Sequence, residues 1–261
     1  MRGGDFQNGV QPITPTVKKL IIANLAIWFF LVLIVQNFVM KDSSISYWFG
    51  LVPGKMLASM WVWQPFTYMF LHSENVFHIV FNMLLLWWLG SELEMLWGKK
   101  FFTFYYFACG IGAAFIYVGS VVVYYLVTGK PMVVPMNVMM NSSNPMWEPV
   151  VGASGAVFGL ILAYGMLFGE RTVLFFMLFP MKARYFVMIL AGIEFFSLIG
   201  QGFSSQVSNL AHLGGFIVGY LILRVTPRLK EYLVRRQTEN RGRRLKLVVD
   251  NESQKNPKYW N

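Results

Sequence analysis

The chain has 261 residues, 56% of them hydrophobic and 13% charged, and a formal net charge of +10. Soluble domains carry about 25% charged residues. Here 15 of the 34 charges lie at or beyond Arg224, so the first 223 residues are only about 9% charged. No soluble core of this size hides so much apolar surface. That excludes a soluble enzyme, a disordered protein or a DNA-binding domain as a reading of the whole chain. What is left is an all-α, polytopic membrane protein, with a length that suits about six spans.

In chain order, the charge-free run 20–40 follows Lys18 and Lys19 and reads as a first, retained span. It is too long for a signal-peptide core and has no small-residue cleavage site after it. Spans two to six are expected at 76–91, 101–128, 150–169, 185–199 and 208–223. The apolar stretch 172–181 contains Pro180 and is too short to cross, so it is expected at the interface. The loop 41–75 carries Tyr47, Trp48, Trp61 and Trp63 and should lie among headgroups, while the loop 129–149 is rich in Met, Pro and Asn. The one cysteine, Cys109, excludes an intramolecular disulfide or a CxxC metal site and reads as a small buried residue.

Charge placement sets the orientation. With the amino terminus inside, 19 basic residues face the cytoplasm and only Lys41, Lys55 and Lys130 face out. The expected organisation is a cytoplasmic segment 1–19, a membrane domain 20–225 and a basic cytoplasmic tail 226–261. The same placement accounts for the +10 by the lipid bilayer, with no nucleic-acid partner. The absence of a transit peptide and of added spans suits a bacterial cell membrane.

Polar groups within the spans are costly and point to function. His78 and Asn82 are four residues apart on one face of span two. Ser154 stands in Gly152-Ala153-Ser154-Gly155 of span four, and His212 in Ala211-His212-Leu213-Gly214-Gly215 of span six. At 1.5 Å per residue, Ser154, His78 and His212 lie roughly 24, 21 and 18 Å from the inner charges Glu170, Glu92 and Arg224. All three therefore fall at a similar depth, below the outer boundary of a core about 30 Å thick. The pairs Gly155/Gly159 and Gly215/Gly219 allow spans four and six to approach closely beneath Ser154 and His212. A serine needs a base, and His212 would serve. His78, Asn82 and the Ser154 backbone N–H would supply oxyanion donors. Phe158, one turn below Ser154, would pack on the His212 ring. No acidic residue is assigned to His212: none sits at matching depth, and Glu194, in the outer half of span five with its face not set by the sequence, is read as a structural hydrogen-bonding residue. No metal or cofactor is required.

The run from Gly152 to Gly159, with His78-Ile79-Val80-Phe81-Asn82 before it and Ala211–Gly215 after it, resembles the rhomboid family of intramembrane serine proteases. The resemblance covers about 20–225 in motif order. It implies Ser154 as nucleophile, His212 as base, and His78 and Asn82 at the oxyanion site. It also implies transmembrane protein substrates cut near their outer ends. Family members often carry Trp-Arg in the first outer loop, where Trp63-Gln64 stands here. The competing readings are a catalytically inactive relative that binds membrane helices, which would usually lack the Ser or the His, and a transporter, which would show an inverted repeat.

Overall fold

The computed structural model describes residues 12–129, 144–175, 179–200 and 207–242. The expectations for the segment 1–11, for most of the loop 129–149 and for the tail beyond 242 lie outside the described residues. Helix α1 runs Pro15–Met40 and is π-wound from Trp28. Short helices α2 (Ser44–Phe49), α3 (Pro53–Ala58) and α4 (Gln64–Thr67) follow. Then come α5 (Val76–Trp97), α6 (Lys99–Thr128), α7 (Ser154–Leu167), strands β1 (Thr172–Phe175) and β2 (Phe179–Lys182), α8 (Ala183–Gly200) and α9 (Val207–Gly242). By length and composition, α1, α5, α6 and the segment Asn209–Thr226 of α9 are able to cross a membrane, and α7 is apolar but only 14 residues long. With α8 they give the six apolar helices in the expected order. Their outer faces carry Phe38, Phe77 and Val127, which are 79%, 69% and 80% exposed. Apolar surface on this scale belongs against lipid, and the protein is an integral membrane protein.

Three boundaries differ from the sequence reading, each for a local reason. Helix α1 begins at Pro15 rather than at 20, because the buried Glu94 carboxylate of α5 accepts from Thr14 Oγ1 at 2.5 Å and from the Thr16 and Val17 amides at 3.1 Å. Those orphan amides need an acceptor at a helix start. Helix α7 begins at Ser154 rather than at 150, because residues 150–153 are drawn into the outer loops. The stretch 172–181 is not a lone interfacial segment but a two-stranded antiparallel hairpin pairing Thr172 with Lys182.

The outer loop 41–75 is a folded layer. Trp61 stacks between Trp48 (4.7 Å) and Trp63 (5.4 Å), and the Lys55 ammonium lies 5.2 Å from the Trp61 ring. Gln64 is fully buried; its Oε1 accepts from the Val52 amide at 3.0 Å and its Nε2 donates to the Tyr47 carbonyl at 3.1 Å. A neutral amide thus anchors the loop. Leu51 and Val150 exchange backbone hydrogen bonds of 2.8 and 2.9 Å, which ties this layer to the chain entering α7.

Helix α7 is the hub and packs on α5, α6 and α8. Its glycine stripe meets that of α9 at backbone distance. A Cβ at Gly215 would overlap the Gly155 carbonyl, and one at Gly219 would lie 3.4 Å from the Gly159 Cα. Helix α6 closes the third side: a Cβ at Gly159 would meet the buried Cys109 Sγ at 2.6 Å, and one at Gly155 the Ala113 Cβ at 2.8 Å. Tyr105 of α6 donates to the Gly159 carbonyl at 2.9 Å. Small residues are required wherever helices touch through their backbones. Gly215→Leu should therefore cost about 1–3 kcal/mol or more through overpacking. The expected outcome is an inserted protein with a lowered Tm and with Ser154 no longer in reach of His212. A wild-type Tm in this variant would show that the two helices do not touch at Gly215.

Candidate active site

Ser154 is the first residue of α7, delivered by a turn that only glycine fits. Gly152 has φ +136°, a conformation closed to L side chains, and a Cβ there would meet the His78 Nε2 at 3.0 Å. The Gly152 amide donates to the Tyr68 carbonyl at 3.0 Å, so the first outer loop holds this turn as well. Being at a helix start, the Ser154 N–H has no intrahelical acceptor.

His212 reaches across from α9, and its Nε2 is 2.8 Å from the Ser154 Oγ. The Phe158 ring lies parallel to the imidazole, 8° between planes and 4.3 Å between centroids, with Phe216 edge-on to Phe158. Two of the three ways the imidazole could move are thereby blocked: tilting by the Phe158 face and sliding by the serine.

The third contact corrects the sequence reading of Glu194. Its Oε1 lies 3.0 Å from the His212 Nδ1, with both side chains 15% exposed. The pair is in ion-contact range but off the line of a straight N–H···O bond, so neither His212 Nδ1 nor Glu194 Oε2 has a directed hydrogen bond among the described residues. Depth counting puts Glu194 in the outer half of its span but no acidic residue level with His212. What the sequence lacked was the face of α8.

His78 presents its Nε2 to the same hollow, beside Gly152 and the Ser154 Oγ. Its Nδ1 receives the Ser73 amide at 3.3 Å and contacts the Ser73 Oγ at 3.0 Å. A backbone N–H only donates, so Nδ1 must be the acceptor and the proton of a neutral His78 is on Nε2. A neutral His78 thus carries its donor on the nitrogen that lies beside Gly152. Ser73 went unremarked in the sequence, where only its place five residues before His78 marks it. Asn82 is buried, and its amide nitrogen donates back to the His78 carbonyl at 2.8 Å, leaving one N–H of the amide for other use.

His72 stands in the loop just before α5. It is fully buried, its ring 5.1 Å from that of His78, and neither ring nitrogen has a hydrogen bond of normal geometry among the described residues. Burial first, and then the His78 ring, push its pKa down to about 3, with the Phe70 carbonyl pulling weakly the other way. It stays neutral in the folded protein and titrates normally once unfolded. Above about pH 6.5 it leaves stability unchanged, and between pH 6.5 and 3 only the unfolded chain takes up the proton. Stability should fall with pH in that window by up to about 1.4 kcal/mol per unit. His72→Phe should flatten the fall of Tm between pH 6.5 and 4; an unaltered slope would show that His72 does not drive it.

A serine hydroxyl within hydrogen-bond reach of a stacked imidazole is an arrangement able to carry out nucleophilic acyl transfer. The family model described as a rhomboid domain matches residues 59–228. The chain belongs to the rhomboid family. It is 28% identical over 218 residues to rhomboid protease GluP of Bacillus subtilis (strain 168), covering 82% of this chain and 35% of that protein. It is 28% identical over 221 residues to rhomboid protease AarA of Providencia stuartii, covering 83% and 73%. RHOMBOID-like protein 1 of Arabidopsis thaliana is 30% identical over 162 residues, covering 62% and 33%. The chain thus spans about a third of GluP and about three quarters of AarA.

Proposed function

We propose that this protein is an intramembrane serine endopeptidase that hydrolyses peptide bonds in or near transmembrane segments of membrane proteins. The observation that carries the reading is the 2.8 Å approach of the His212 Nε2 to the Ser154 Oγ under the stacked Phe158 ring. As the Ser154 Oγ attacks the scissile carbonyl carbon, His212 Nε2 takes the hydroxyl proton. The carbonyl oxygen becomes an oxyanion beside the Ser154 N–H and the Nε2–H of His78, with Asn82 one helical turn below. One strong donor of this kind is worth about 2.7–4 kcal/mol in a preorganised site. The C–N bond then breaks, and His212 returns its proton to the leaving nitrogen. Water, activated by the same imidazole, splits the ester and frees Ser154.

The working organisation is the cytoplasmic segment 1–19, the membrane protease domain 20–225 and the basic tail 226–261, in a bacterial cell membrane with both termini inside. The site then opens toward the outer face. A fluorophosphonate probe tests the chemistry without a known substrate. It should label the parent and fail on both Ser154→Ala and His212→Ala. Labelling of Ser154→Ala equal to the parent would end the assignment.

Orientation is tested separately. Cys109 is buried and reports nothing, so Glu74→Cys should react with an impermeant maleimide in intact cells, and Lys99→Cys only after permeabilisation. The reverse pattern would turn the site to the cytoplasm.

A further inference from the structure

Among the described residues, Glu194 is the one carboxylate within contact of His212, and its surroundings make that placement costly. On the same stretch of α8, Ile193, Phe195 and Phe196 are 52%, 51% and 72% exposed on the apolar outer surface. Glu194 alone among these four turns inward, to the imidazole. A carboxylate within an apolar span is expensive and is kept where it has a partner or a function.

The three edges of the His212 ring define what that partner does. Nε2 is taken by the Ser154 hydroxyl, and one ring face by Phe158. For Nε2 to accept the serine proton, the proton of the neutral imidazole must be on Nδ1. At Nδ1 the group within 3.0 Å is the Glu194 carboxylate, an acceptor. Resting on the protease reading above, we propose that Glu194 is a positioning residue of the catalytic centre. It selects the Nδ1–H tautomer of His212 and stabilises the imidazolium that forms when the Ser154 proton is taken. The carboxylate is never protonated in the cycle. The proton moves from Ser154 Oγ to His212 Nε2 and on to the leaving nitrogen, while Nδ1–H stays on the ring beside Glu194. The off-line geometry of the resting contact is that of a bond that tightens once charge develops, as catalytic hydrogen bonds of free enzymes do.

Sequence spacing alone assigns this chain a Ser-His pair. Phe158 already fixes the plane of the imidazole, so Glu194 acts on its proton and charge rather than on its attitude. Loss of the carboxylate should therefore cost less than the roughly 10⁴-fold known for a triad in which the acid also orients the ring.

The test uses the full chain in detergent with two near-isosteric variants, Glu194→Gln and Glu194→Leu. Fluorophosphonate inactivation is resolved into a binding constant and a maximal rate. Glu194→Gln should lower the maximal rate by about 10²-fold, with binding and Tm unchanged. Glu194→Leu, which has no acceptor, should be slower still. The ring ¹⁵N spectrum is read on the same samples. The chain has only three histidines, and His212 is assigned by its absence in His212→Ala. The parent should show His212 protonated at Nδ1, and Glu194→Leu should shift the proton to Nε2. Parental inactivation rates in a folded Glu194→Gln protein would overturn the proposal, leaving Glu194 as a contact between helices. If the parent itself is never labelled, the protease reading falls, and the ¹⁵N spectra still decide on Glu194. A tautomer that changes in Glu194→Leu supports its positioning role, and one that does not change refutes it.

Discussion

The contact on which the rest depends is the one between two backbones. Where α7 and α9 cross, the Gly155 and Gly159 side of one helix lies against the Gly215 and Gly219 side of the other. In lipid no water is expelled when helices meet, so close van der Waals approach has to supply the adhesion. The 2.8 Å reach between Ser154 and His212 follows from that approach, because a serine side chain is short and an imidazole cannot stretch. Cys109 and Ala113 of α6 fill the same crevice from the third side. Reactive geometry and helix adhesion are therefore one structural fact seen at two heights along the same pair of helices.

Away from the crossing the chain uses polar groups sparingly and pairs them by function. Gln64 holds the first outer loop without bringing a charge into it. Ser73 fixes which nitrogen of His78 carries the proton. Glu94 gathers the amides that start α1. Each is buried or half-buried where an unpaired group would cost about 1–3 kcal/mol. His72 is among the exceptions: it accepts burial with no good partner among the described residues, at the back of His78.

The sequence made the spans, their order, and the meeting of Gly155/Gly159 with Gly215/Gly219 legible, because hydrocarbon length and small-residue spacing act locally. Depth counting also brought Ser154, His78 and His212 to one level. It stopped short wherever rotation of a helix about its axis was decisive. Glu194 falls in the outer half of its span but not level with His212, and nothing in a span of apolar residues says which way α8 is turned. Long-range backbone pairing was equally hidden. That Val150 pairs with Leu51 rather than continuing α7 upward is settled by a partner far away in the chain. The hairpin at β1–β2 escaped for a related reason, since a short apolar run with a proline has no periodicity that separates strand from interfacial segment.

The Leu51–Val150 pair has a consequence for how the molecule opens. Two amides each satisfy the other's carbonyl, so loosening one strand strands both donors and both acceptors of the pair. The first outer loop and the turn that carries Ser154 form one cooperative unit, although they are remote in sequence. Their amides should exchange with solvent at a common rate, governed by a single opening equilibrium. A fluctuation that leaves this pair closed leaves the nucleophile in place.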